Sequence, residues 1–205
     1  MEVDNNGSAD GSDARREGLL EAAVGVFARY GFRKTSMDEV ARAAGLSRQG
    51  LYLHFADKEE LFRKAVAYKL SRQLSAAVTA LLDETISLEK RLMEACDAWC
   101  GRYVGATGSD AADLMCASTT LAGATLADYE ERFEAALAHA IGTSALAPLC
   151  AGAGLPTPGV ARAVLATARG LKHYSQTRQE FVQGMTVAAR LFCSPLHACI
   201  SPTQE

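Results

Sequence analysis

Apolar residues recur along this chain with helical spacing. From Ala14 to Tyr30 the positions Leu19, Ala23, Phe27 and Tyr30 fall on one stripe, and Gly31 stands where a left-handed residue would end the helix. Ser36 and Glu39 form a capping box that opens a second helix burying Met37, Val40, Ala41 and Ala44. Gly45 supplies a tight turn, Ser47 caps a short third helix, and Leu46, Leu51 and Phe55 point inward. Asp57 and Glu60 make another box, from which a fourth helix runs to about Leu82 with Leu61, Phe62, Ala65, Val66, Leu70 and Leu74 on its inner face.

The same reading continues through the second half. Ser87 caps a fifth helix to about Val104, apolar over most of its circumference, before Gly105, Gly108 and Ser109 break it. A sixth helix is expected from Asp110 to Leu121 and a seventh from Leu126 to Ile141. Gly142 to Pro158 reads as a connector, closed by Thr157 as N-cap and Pro158 at the first helical position. An eighth helix aligns Val160, Val164, Ala168 and Leu171. Thr177 and Glu180 then cap a ninth, which places Phe181, Met185, Ala188 and Phe192 on one face until Pro195 stops it. No alternating strand pair follows the third helix, which disfavours a winged-helix arrangement. No apolar run reaches the roughly 18 residues of a membrane span.

The pattern therefore predicts an all-α protein: a disordered tail over 1–13, a three-helix bundle with a helix-turn-helix over 14–56, a helical regulatory and dimerisation domain over 57–195, and a tail over 196–205. With 205 residues the chain can bury a sizeable core.

Charge sharpens the picture. The whole chain carries a formal −3, yet Ala14 to Arg72 holds twelve Lys and Arg against seven Asp and Glu. Basic charge is concentrated on the helix-turn-helix, as a polyanionic partner requires. Six cysteines without paired spacing, and the lack of a signal peptide pattern, point to a reducing cytoplasm.

The third helix sends Gln49, Tyr52 and Leu53 outward, with Gly50 on its flank and Arg48 at its exposed edge. Arg donates bidentately to guanine, Gln pairs with adenine, and Leu meets a thymine methyl. Gly50 costs about 1 kcal/mol of helix propensity, which close approach of a duplex would offset. Ser36 and Ser47 mark helix starts whose free N–H groups suit phosphate. Tyr52 and His54 offer donors at the rim. Lys58 stands in a first helical turn, where a cation opposes the macrodipole and a nearby phosphate would explain it. Arg33 and Lys34 lie in the turn after the first helix, near the expected phosphate backbone.

The run KTSMDEVARAAGLSRQGLYLHFADKEELF, with the helix before it, resembles the DNA-binding domain of the TetR (tetracycline repressor) family over about Ala14 to Phe62. The resemblance implies phosphate contacts from Tyr52, His54 and Lys58, base contacts from Arg48, Gln49 and Leu53, and support of the backbone contact by Thr35. Gly50 departs from the Thr, Ser or Ala common there, so a hydroxyl contact is absent. It further implies a homodimer on a palindromic operator, more readily a repressor than an activator, released when a small-molecule effector shifts the fourth helix.

An effector cavity is expected among Met93, Cys96, Trp99, Cys100, Tyr103, Met115, Cys116 and Phe133, and their apolar character favours a hydrophobic ligand. The last two helices can pack on their own body, or as a four-helix bundle with a second copy. Paired heads reading sites one helical turn apart, roughly 34 Å, favour the dimer, through Val164, Ala168, Leu171, Phe181, Met185, Ala188 and Phe192. Cys96 and Cys100, with Cys116, raise a metal or redox sensor as an alternative, but no CxxC or nearby His supports it. No metal or cofactor is called for. An enzyme would need a nucleophile and base in one pocket, and His139, His173 and His197 have no recognisable partners in the sequence.

Overall fold

The computed structural model describes residues 7–105 and 111–200, with side chains over 14–102, 104–105 and 112–194. The helices are α1 (Gly7–Lys34), α2 (Met37–Ala43), α3 (Arg48–Tyr52), α4 (Lys58–Leu82), α5 (Leu88–Trp99), α6 (Ala111–Gly142), α7 (Leu146–Gly152), α8 (Thr157–Tyr174) and α9 (Arg178–Ile200), with a 3-10 turn at Gly101–Tyr103. No strand occurs among the described residues, and the architecture is all-α. Two compact units emerge: one holds the described residues through Ser71 and those from Ala111 to Leu126, the other the remainder. This division differs from the sequential boundary expected after Ala56, because α4 and α6 each contribute residues to both units. Backbone helix also begins at Gly7, seven residues before the expected start, inside the stretch read as a disordered tail.

The first unit closes around Phe27, Val40, Leu51, Phe55, Leu61 and Phe62, all buried. Phe62 meets Phe27 and Phe32 edge-on, with each pair of ring centroids 5.0 Å apart. Tyr30 departs from the expected stripe: it is 38% exposed beneath the Arg29 guanidinium, while Leu20 and Val26 are buried instead. Gly31 does carry a positive φ, but its φ 76°, ψ 177° lies outside the left-handed helical basin in a region essentially restricted to glycine. The Thr35 hydroxyl donates to the Gly31 carbonyl at 2.6 Å, bracing this bend from below.

Caps set the next boundaries. Ser36 Oγ accepts from Glu39 N while the Glu39 carboxylate accepts from Ser36 N at 2.7 Å, completing the predicted box. These hydrogen bonds from the Ser36 backbone and hydroxyl hold the Glu39 carboxyl below its ordinary range. Gly45 turns at φ 67°, and Ser47 Oγ accepts from Gly50 N at 3.0 Å. At the start of α4, Asp57 accepts from Glu60 N, and Glu60 reaches back to Ala56 N.

In the second unit α9 packs against α5, α7 and α8. Helix α5 ends at Trp99, short of the expected Val104, because Cys100 leaves helical geometry (φ −139°) and the backbone at Gly101 passes against Phe181. A Cβ added at Gly101 would lie 2.4 Å from the Phe181 ring. The sixth and seventh helices of the sequence reading are one helix, α6, kinked at Ala122 (φ −133°, ψ 16°). The presumed connector contains α7, in which Pro148 sits in the first turn, where its missing N–H has no helical partner to lose. Pro156, not Thr157, is the N-cap of α8. The backbone of α9 continues through Pro195 to Ile200, since proline removes one ladder bond yet keeps a helical φ.

Packing also overturns part of the expected dimer face. Val164, Ala168, Phe181 and Met185 are fully buried within the second unit, and Leu171, Ala188 and Phe192 are half-buried. Periodicity located an apolar stripe, but the body of the same chain covers it. Leu171 closes on Gly184, where an added Cβ would stand 2.7 Å from Leu171 Cδ2. Asp97, only 5% exposed, receives two hydrogen bonds from Arg178 at 2.6 and 3.0 Å. These bonds fix the start of α9 to α5 and raise the Arg178 guanidinium above its ordinary pKa. No single helix among the described residues is long and apolar enough to cross a membrane.

Gly101→Ala is expected to force Phe181 and Asp97 apart and to lower stability by about 1–3 kcal/mol. Urea unfolding followed by circular dichroism measures it, and an unchanged midpoint would show that this close approach is dispensable.

Candidate nucleic-acid interface

The turn between α2 and α3 presents the outer face of α3. Arg48, Gln49, Tyr52, Leu53 and His54 are all exposed, Leu53 by 82%, and Gly50 is half-buried on the flank. Leu51 and Phe55, on the opposite side, are buried to 0% and 1%. A five-residue helix carrying both faces is held by its inward pair and by the Ser47 cap rather than by its own length. A Cβ at Gly50 would meet Ser47 Oγ at 3.2 Å, so glycine leaves room for the cap as well as for anything approaching from outside.

Electrostatics divide the predicted contacts. Arg48 Nη1 donates to Asp38 Oδ2 at 3.2 Å, and its guanidinium lies 5.7 Å from the Tyr52 ring centroid. The Tyr52 hydroxyl and the Asp38 carboxylate both raise the Arg48 pKa. Asp38 was not among the residues singled out from sequence: ten positions separate the pair, and no helical period links them. Arg33, expected near phosphate, is paired through its backbone N–H and Nε with Asp113 of α6, at 2.8 and 3.2 Å.

Thr35 and Lys58 are engaged within the chain. Thr35 is 2% exposed and its hydroxyl serves Gly31, so its side chain supports the surface from beneath and does not face outward. Lys58 Nζ donates to the carbonyls of Phe32 and Thr35 at 3.0 Å and of Arg33 at 3.4 Å, and lies 4.5 Å from the Phe32 ring centroid. Its three N–H donors thus have backbone acceptors. The carbonyls at the end of α1 account for a cation at the start of α4. Ser36 and Ser47 are exposed, with both hydroxyls engaged in caps.

The expected effector residues fall in different units. Met115 is 72% exposed and Cys116 exposed, both on the part of α6 that belongs to the first unit. Cys96, Trp99, Cys100 and Phe133 are buried core of the second unit, where Trp99 and Phe133 stack with centroids 4.9 Å apart. The Tyr103 side chain lies outside the described residues. Met93 lines a cleft of about 380 Å³ with Ala76, Ala80, Asp97, Arg102, Arg178 and Val182. Burial pushes the Cys100 thiol up to about 11 and the Cys193 thiol up to about 12, and raises Cys96 as well. Groups so far from thiolate at neutral pH are poor redox sensors. No cluster of three or more metal-ligating side chains occurs among the described residues.

A helix-turn-helix whose outer face carries Arg, Gln, Tyr and an exposed Leu, on an all-helical frame, has the architecture of the DNA-binding domains of bacterial transcriptional regulators. Residues 19–65 match the family described as bacterial regulatory proteins, tetR family. The chain is 44% identical over 62 residues to the HTH-type transcriptional regulator YfiR of Bacillus subtilis (strain 168), covering 30% of each. It is 45% identical over 49 residues to the HTH-type transcriptional repressor KstR2 of Mycobacterium tuberculosis (strain CDC 1551 / Oshkosh), covering 24% of each. The matched segments thus span less than a third of these relatives. In overall fold it is similar to AibR in complex with isovaleryl coenzyme A and operator DNA, with a TM-score of 0.56 and 19% identity, covering 85% of this chain and 97% of that one. The family match thus covers the helix-turn-helix segment, and the fold of the whole chain is the one seen in solved regulators of this type.

Lys58→Met keeps the aliphatic stem and removes the ammonium. It is expected to lower unfolding free energy by about 1–3 kcal/mol in urea titration. Unchanged stability, with a salt slope of DNA binding reduced by about 1, would return Lys58 to phosphate contact.

Proposed function

We propose that this protein is a homodimeric repressor that reads a two-fold operator through α3 and leaves it when a small molecule binds the second unit. The observation that carries the reading is the outward row Arg48, Gln49 and Leu53 on α3, whose side chains suit base edges. Tyr52 and His54, exposed beside it, are suited to phosphate, as are the N–H groups at the start of α2. The name of KstR2 as a repressor and the operator DNA in the AibR complex support the same reading.

For the dimer, the outward sides of α8 and α9 replace the buried stripe first expected. Tyr174 is 81% exposed, Leu191 70% and Val187 60%, while Ala163 and Ala166 add small exposed positions on α8. Leu155 and Leu191 also border an apolar cleft of about 500 Å³ between α7, α8 and α9. Exposed apolar surface of this kind favours a second helical pair. The effector's candidate seat is the cleft beside Met93. Its walls mix Ala, Val and Met93 with the charged Glu94, Asp97, Arg102 and Arg178, the two arginines already paired with Asp97. They suit a compact ligand with polar groups beside an apolar part rather than the apolar one expected from sequence.

Selection from a randomised duplex pool is expected to return a palindromic site. Arg48→Ala or Gln49→Ala should then cost about 1–3 kcal/mol and relax one base position per half-site. A pool that returns no sequence contradicts the reading. Leu191→Glu is expected to give a folded monomer in sedimentation, whereas Phe181→Asp should unfold the second unit. A Leu191→Glu variant that stays dimeric would move the interface elsewhere.

A further inference from the structure

The pairing of Asp38 with Arg48 goes beyond holding two helices together. Both side chains are largely exposed, at 50% and 62%, on the face α2 and α3 turn outward. An exposed ion pair of this kind contributes little to stability, so its presence on a surface meant for a polyanion needs another reason. A carboxylate there repels phosphate and cannot donate to any base edge. Glu39, the neighbouring acid, is occupied by the Ser36 cap, which leaves Asp38 as the carboxylate facing Arg48.

Resting on the DNA-reading assignment above, we propose that Asp38 is a specificity-setting positioning residue, which aims Arg48 at a single guanine and penalises duplexes that lack it. An unrestrained arginine samples many rotamers and can settle on any phosphate. Here Asp38 takes one Nη1 hydrogen, and the Tyr52 ring lies beside the guanidinium at 5.7 Å. A guanidinium has five N–H donors, so those engaged by Asp38 and by the Tyr52 hydroxyl leave others for guanine O6 and N7 to accept. If Arg48 swings away to a phosphate, Asp38 is left unpaired against the duplex. Sequence discrimination therefore gains both from the aimed fork and from the repulsion that follows when it is misplaced.

The test uses the full-length protein and the site it selects from a randomised pool. Affinities are measured for that site, for every single-base substitution in one half-site, and for a random duplex. The proteins compared are wild type, Asp38→Asn, Arg48→Ala and the double variant. Asp38→Asn is expected to bind random duplex about 3- to 10-fold more tightly and to lose about 3- to 10-fold of discrimination at one base pair, the one Arg48 reads. In the Arg48→Ala background the same change should leave discrimination at that base pair unaltered, a non-additivity that a merely structural role would not produce. Unchanged base preferences in Asp38→Asn, or equal loss at every position, overturn the buttress alone. A pool that yields no site overturns the DNA-reading assignment and the buttress with it.

Discussion

The ammonium group of Lys58 sits where three backbone carbonyls converge, and the reading surface depends on that convergence. Gly31 bends the chain into a conformation only glycine adopts readily, and Thr35 ties the bend with its hydroxyl. The carbonyls of Phe32, Arg33 and Thr35 are thereby turned toward the start of α4, where Lys58 receives them. Phe32 and Phe62 pack beneath the same junction. The entry to α2 is thus held against α4, and α3 follows α2 through the four-residue link of Ala44, Gly45, Leu46 and Ser47. A displaced Lys58 would move the outward row without touching any of its members.

Much of this was readable from local rules. Capping boxes at Ser36 and Asp57, the Ser47 cap and the Gly45 turn each depend on residues within four positions of one another, and α2, α3 and α4 begin where those rules put them. What escaped depends on distant partners. Lys58 looked misplaced because the carbonyls that satisfy it come from more than twenty residues upstream. Asp38 gave no signal because its partner lies across a turn. Pro195, expected as a stop, stands within a continuing helix, and the expected connector from Gly142 to Pro158 holds α7 with Pro148 in its first turn. The Val164 and Phe181 stripes were correctly apolar, yet periodicity cannot say whether the same chain or a second copy covers a stripe.

The second unit shows a comparable economy of polar groups. Its buried Asp97 is matched by Arg178, with Arg102 3.6 Å away, and the absence of a side chain at Gly101 lets Phe181 close over the same place. The described buried thiols behave as small hydrophobes in this setting, with Cys100 donating to the Cys96 carbonyl. Aromatic stacking of Trp99 on Phe133 occupies space that composition alone would have left for a ligand. The cleft beside Met93 is lined by charged as well as apolar side chains, in contrast to the apolar content of these helices.

Site-specific photo-cross-linking to the selected duplex tests the central assignment most directly. A photoreactive side chain at Gln49 or Leu53 should cross-link to bases, and one at Met115 or Tyr174, exposed elsewhere, should not. Cross-links from Met115 or Tyr174 with none from Gln49 and Leu53 would contradict DNA reading by α3.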